Sequence, residues 1–184
     1  MNSAAYSPDG REIVSASWDN SIHIWDSVTG ERKSILRLHT EGVNSAAYSP
    51  DGRKIVSASR DRTINILDIV TGECKQFRFL VGHTSYVNSA AYSPDGREIV
   101  SASNDKTIKV WTADDSREVY SYSLPSTCTD ASFSPDGRTI AVACKDGNIY
   151  LIDFPPLQEL IDQTRERFKN YPLTPKERRQ YYLE

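Results

Sequence analysis

The sequence predicts an all-β repeat fold of about four small antiparallel sheets, followed by a short α-helical C-terminal extension, and three observations carry that prediction. The ten residues Asn-Ser-Ala-Ala-Tyr-Ser-Pro-Asp-Gly-Arg stand at 2–11, 44–53 and 88–97, with a worn fourth copy at 129–138. The Ser-Pro-Asp-Gly cores begin at Ser7, Ser49, Ser93 and Ser134, so the period is 42, 44 and 41 residues. Between the cores, short apolar runs alternate with turn signals every ~8–12 residues. A period of this length marks one supersecondary unit, copied and stacked because a single unit cannot bury its own apolar face.

The second copy shows each element in order. Val43–Tyr48 alternates small and apolar residues and reads as a first strand. Ser49-Pro50-Asp51-Gly52 is a tight turn: proline presets φ at its second position, and glycine accepts the positive φ needed to leave it. Lys54–Ser59 is a second strand, β-branched but studded with Ser and Ala, and Arg60-Asp61-Arg62 turns the chain into a third strand, Thr63–Leu67. Asp68 to Gly72 turns it again, and Cys74–Leu80 returns as a more polar fourth strand. Inner strands with Ile and Val on one side and Ala or Ser on the other suit sheets covered on both faces. The outer strands Glu31–Leu36, Glu73–Leu80 and Arg117–Leu124 are charged and irregular, as edges should be. Sheets stacked face to face with polar outer edges specify a β-propeller rather than a sandwich or barrel. The copies divide at about 1–38, 39–82, 83–124 and 125–154.

Third strands end in Ile24-Trp25-Asp26, Ile66-Leu67-Asp68, Val110-Trp111-Thr112 and Leu151-Ile152-Asp153. Leu38-His39 and Gly82-His83 precede two of the turns at one fixed distance, and Asp19, Asp61, Asp105 and Asp146 keep register with the third-strand ends. Over residues 1–154 this pattern resembles the WD-repeat β-propeller family. The resemblance implies a buried hydrogen-bond chain in each sheet, from histidine to turn aspartate, second-strand Ser and tryptophan. The complete set is then His83, Asp105, Trp111 and either Ser101 or Ser103, a choice the sequence leaves open. His39 and Asp61 meet Leu67 in place of Trp, which shortens that chain, and the fourth copy keeps only Asp146. A His-Asp-Ser set also invites a hydrolase reading. The same trio recurs at equivalent positions in adjacent copies, as a structural brace does, and no exposed nucleophile with an oxyanion hole is implied.

Net charge is -3, which argues against general affinity for nucleic acid or anionic membrane. No apolar run of about 18 residues predicts a membrane-spanning helix, and no basic segment followed by an apolar stretch opens the chain. Cys74, Cys128 and Cys144 are too few and too scattered for a disulfide framework or a C-x-x-C metal site. No cofactor or metal is expected, and the cytoplasm is the default compartment. Cys128 and Cys144 read as buried thiols, and His23 as a surface or edge residue of its strand.

Met1 falls where the other copies have Val43 and Val87, and no outer strand follows Asp153. Family members usually close a ring of about seven sheets. Two readings follow: a carboxy-terminal piece of a longer protein, which is preferred, or two chains that pool their sheets into one ring. Beyond Pro155-Pro156, the stripe Leu157, Leu160, Ile161, Thr164 and Phe168 predicts a helix, and Thr174-Pro175-Lys176-Glu177 opens a second one. These are expected to cap the last sheet. Leu173-Thr174-Pro175 and Glu177-Arg178-Arg179 also resemble the ends of bacterial signalling proteins that fuse a nucleotide-binding or caspase-like module to WD repeats.

The repeats separate scaffold from variable positions. The residue before each turn aspartate is Trp18, Arg60, Asn104 or Lys145, and the pairs before first strands are Glu41-Gly42, Ser85-Tyr86 and Ser126-Thr127. In the family both loops reach one rim. Trp, Tyr and Arg dominate interface energetics, so a protein or peptide surface is expected on Trp18, Arg60, Tyr86 and Asn104, with Glu41 and Lys145 at its margin. The expected function is a non-catalytic recognition module of a larger signalling protein. The alternatives are a propeller enzyme and a self-assembling ring.

Overall fold

The computed structural model describes residues 1–70 and 73–154, with the backbone alone at 70 and 73–76. The chain divides into two compact units, Met1–Asp153 and Phe154–Glu184. The expected C-terminal helices, in 155–184, lie outside the described residues, as does the Thr71-Gly72 end of the predicted turn.

Among the described residues, fifteen strands form four antiparallel sheets, each a meander. The first holds β1 (Ser3–Tyr6), β2 (Glu12–Ala16), β3 (Ile22–Asp26) and β4 (Arg32–Leu36). The second holds β5 (Val43–Tyr48), β6 (Lys54–Ser59), β7 (Thr63–Val70) and β8 (Glu73–Val81). The third holds β9 (Val87–Tyr92), β10 (Glu98–Ser103), β11 (Thr107–Thr112) and β12 (Glu118–Ser123). The fourth holds β13 (Cys128–Phe133), β14 (Thr139–Cys144) and β15 (Ile149–Asp153). First strands pack on one another in sequence, β1 on β5, β5 on β9 and β9 on β13, so the sheets stand in a row as an open propeller arc. Among the described residues, no helix is long and apolar enough to cross a membrane.

Each Ser-Pro-Asp-Gly turn closes by the same local bonds. In the second sheet, the Gly52 amide donates to the Ser49 carbonyl (2.9 Å) and the Ser49 hydroxyl donates to Asp51 Oδ1 (2.6 Å). The amides of Arg53 and Lys54 are then captured by Asp51 and Ser49 side chains. Gly52 sits at φ 71°, where a side chain is strained.

Side-chain alternation then divides the second sheet between two cores. Ile55 and Leu67 point back to Val14, Ile22 and Ile24 of the first sheet. Val56, Ala58, Ile64 and Ile66 point forward to Val87, Ile99 and Trp111 of the third. β7 runs to Val70, past the predicted strand end at Leu67. After a register shift between Asp68 and Ile69 the β7–β8 ladder resumes, and Ile69 is buried in the first core.

The opening Asn-Ser of each repeat stitches neighbouring sheets together. Asn2, Asn44 and Asn88 donate Nδ2–H to the carbonyls of Val43, Val87 and Cys128 in the next sheet, at 2.7–2.8 Å. Ser3, Ser45 and Ser89 hydroxyls accept from the amides of Ala46, Ala90 and Ala131. The fourth copy replaces the pair by Thr129-Asp130. Thr129 bonds within its own sheet, to the Ala143 carbonyl, and Asp130 accepts from the next amide in its own strand.

Candidate functional site

Two groups of side chains command attention: the buried polar chains inside the sheets and the loops on one rim. In the third sheet, His83 Nδ1 lies 2.9 Å from Asp105 Oδ2, and His83 Nε2 lies 2.8 Å from Ser101 Oγ. Trp111 Nε1 donates to the same hydroxyl at 2.9 Å. A neutral imidazole with its proton on Nδ1 satisfies all of them in one direction. The indole N–H donates to Ser101, the Ser101 hydroxyl to Nε2, and Nδ1–H to Asp105. Asp105 also accepts from the Thr84 and Thr107 amides and the Thr107 hydroxyl. Of the two candidate serines, Ser101 is the member. Ser103 stands two residues on, bonds the Tyr86 carbonyl and accepts from the Asp105 amide, so it shapes the turn instead.

The second sheet repeats this arrangement with His39, Asp61 and Ser57, and Thr63 in the place of Thr107. Leu67 ends it. An added Cβ at Gly82 would lie 2.9 Å from Trp111 Cη2, so glycine there lets the chain close over the indole. The equivalent residue before His39 is Leu38, and it packs against the core that holds Leu67. Larger residue and smaller partner exchange places.

In the first sheet, Trp25 donates to Ser15 (2.8 Å), and the histidine comes from a strand. His23, expected at a surface or edge, is buried at 5% exposure. It shares a face of β3 with Trp25, stacks on that ring at 5.6 Å, and sets Nε2 2.7 Å from the Ser21 hydroxyl, itself bonded to Asp19. In the fourth sheet the Tyr150 hydroxyl donates to Asp146. Cys128 and Cys144 are buried side by side with sulfurs 4.0 Å apart, and burial pushes the Cys128 thiol up to about 12.

Electrostatics follow from the geometry. Burial depresses His83 below the ordinary imidazole value, Asp105 offsetting part of that shift. Burial works to raise Asp105, but the Thr107 hydroxyl, the Thr84 amide and the His83 ring outweigh it and hold the carboxyl at about 2. Both shifts have the same consequence: the unfolded chain binds protons that the folded chain does not, so stability falls as pH falls. For His83 the loss begins below its ordinary value of 6.5, and for Asp105 it runs from 3.8 down through about 2. Urea midpoints measured from pH 7 to pH 3 are expected to decline throughout; a midpoint that rises on acidification would contradict a neutral, buried ring. The hydroxyls of Ser57 and Ser101 are fully buried. Among the described residues, no group of His, Cys, Asp and Glu could hold a metal ion.

The rim is built by a second set of backbone bonds. The amides of Arg60, Asn104 and Lys145 donate to the carbonyls of Gly42, Tyr86 and Thr127 at 2.9–3.0 Å. Each bond ties the loop after a second strand to the loop before the first strand of its own sheet. Stacking then brings three sheets together at one point. The Arg60 guanidinium carbon lies 3.7 Å from the centre of the Trp18 ring and 5.4 Å from that of Tyr86. Trp18 is 59% exposed and Tyr86 41%, whereas Arg60 is partly buried. Asn104 adjoins Tyr86, but its Oδ1 is taken by Asn88 (2.9 Å). Glu41 and Lys145 are exposed, and neither makes a side-chain hydrogen bond or ion pair among the described residues.

The model of a family described as the IFT122 first β-propeller matches residues 1–170. Ribosome assembly protein 4 of Saccharomyces cerevisiae is similar to the chain, 61% identical over 31 residues. Those residues are 17% of this chain and 6% of that protein, so the chain spans a small part of the curated relative it matches. Neither similarity supports the bacterial origin suggested by residues 173–179.

Proposed function

Since the chain belongs to the IFT122 first β-propeller family of WD-repeat β-propellers, we propose that it is a non-catalytic scaffold that captures a protein or peptide on the rim around Trp18, Arg60 and Tyr86. The observation that carries this is the convergence of those three side chains from three different sheets. Two exposed aromatic rings beside a guanidinium are the residue types that supply most interface energy, and they are already held in place. Asn104 serves as a support for Tyr86, and Glu41 and Lys145 form the margin. Propellers of this family generally bind proteins, which favours the same assignment. We also assign the chain to the cytoplasm as part of a longer signalling protein; the unjoined thiols of Cys128 and Cys144 accord with a reducing compartment.

Replacing Trp18, Arg60 and Tyr86 together by Ala is expected to lower affinity for captured protein by at least about a hundredfold, given that interface anchors each contribute above ~2 kcal/mol. The melting temperature should stay within a few degrees of wild type, because none of the three side chains belongs to the hydrophobic cores between the sheets. Unchanged capture in a pull-down with the triple variant would remove this rim from consideration.

A further inference from the structure

Arg60 differs from the other cations of this chain. Lys33, Lys54, Lys109, Arg11, Arg97 and Arg117 each have a carboxylate within 4.0 Å. Several remaining cations, such as Arg62, Lys106 and Lys145, are exposed to water. Arg60 is partly buried, its Nε is buried without a hydrogen-bond partner, and no carboxylate among the described residues pairs with it. Its backbone N–H is satisfied by Gly42, so only the side chain is left unmatched. Trp18 and Tyr86 strip water from the guanidinium and limit its rotation. The two terminal nitrogens keep access to solvent, since only Nε is among the buried unpaired atoms. A partly desolvated guanidinium with its terminal edge open lacks only an anion, and that edge offers two parallel N–H donors.

Building on the rim assignment above, we propose that Arg60 receives a single carboxylate from the partner, an Asp or Glu side chain whose neighbouring apolar residue lies on the exposed Trp18 ring. A carboxylate fits better than a phosphate group. Phosphate recognition uses clusters of arginines, whereas this rim has one oriented guanidinium. Two coplanar carboxylate oxygens match the terminal nitrogens of one guanidinium.

The test uses the full chain and an array of fluorescent heptapeptides with a central Glu between Phe or Leu residues. Each is paired with the same peptide carrying Gln and with one carrying phosphoserine. The expected result is that Glu peptides bind at least tenfold more tightly than their Gln partners, and more tightly than phosphoserine peptides. Arg60→Gln should bring the Glu-to-Gln ratio to about one, a change that a merely structural role of Arg60 would not produce. Trp18→Ala should weaken Glu and Gln peptides alike. Equal binding of Glu and Gln peptides, lost in Trp18→Ala, would overturn the carboxylate and leave the rim assignment standing. A preference for phosphoserine would overturn the carboxylate in favour of phosphate. Binding indifferent to Trp18→Ala and Tyr86→Ala would overturn both, as would an array in which no peptide binds.

Discussion

Asp105→Ala is expected to destabilise the protein by about 3–5 kcal/mol, because several hydrogen bonds to a charged acceptor, each contributing about 1.5–3 kcal/mol, are lost together. The loss is large because one carboxylate serves four donors: the His83 ring, the Thr84 and Thr107 amides, and the Thr107 hydroxyl. Without it, the buried Nδ1–H of His83 has no carboxylate acceptor, and the turn between β10 and β11 loses its anchor. Asp105→Asn should recover part of the loss, since its side-chain oxygen can still accept. Chemical denaturation of the full chain checks both, with the slope expected to stay constant while the midpoint falls. Asp146→Ala supplies the contrast. That aspartate is exposed and accepts from the Tyr150 hydroxyl and the Asn148 amide, so its removal is expected to cost far less. Equal losses at both positions would contradict the bracing role of the buried chain.

Trp111→Ala is expected to cost about 3–5 kcal/mol, the range for deleting a large buried aromatic side chain. Trp111 is 2% exposed and fills the core between the second and third sheets. Trp111→Phe keeps most of the volume and loses the indole N–H to Ser101, so a cost of about 1–2 kcal/mol is expected. The difference between the two variants separates packing from hydrogen bonding. The native second sheet already contains the apolar solution, Leu67 with Leu38 nearby, which shows that the brace can be shortened when the packing changes with it. A Phe variant as unstable as the Ala variant would mean that the hydrogen bond, not the volume, dominates.

The contrast between Ser101 and Ser103 shows where sequence reading reaches its limit. Strand alternation puts both on one face, and only the height of the His83 ring along β10 chooses between them. By comparison, the Ser-Pro-Asp-Gly turns were legible to the residue, because every bond that closes them is local. The strands between them were legible for the same reason, with β5 and β6 beginning and ending where the apolar alternation does. β7 overran its predicted end because Ile69 has a tertiary place to go, which no local turn signal reports. His23, read as a surface or edge residue of its strand, is buried instead. Its equivalents in the other sheets are Asn65, Lys109 and Tyr150, and each of these side chains meets a partner of its own. The signal available was the Asp-x-Ser/Thr spacing at Asp19-Ser21, Asp61-Thr63 and Asp105-Thr107, which marks the side chains that hold each turn carboxylate. At the rim, equivalence between copies picked out Trp18, Arg60 and Tyr86 individually. Their contact depends on how far one sheet is stacked from the next, a distance written in the Asn-Ser stitches rather than in any loop.

That contact is the point where the stacking of the sheets and the recognition surface are tested together, and side-chain NMR of the Arg60 guanidinium reads it directly. Slow solvent exchange is expected at Arg60 Nε–H, with upfield ring-current shifts of the Arg60 δ protons and nuclear Overhauser contacts to both Trp18 and Tyr86, the upfield shift being lost in Trp18→Ala. Random-coil shifts, rapid exchange at Nε and no contact to either ring would contradict this expectation.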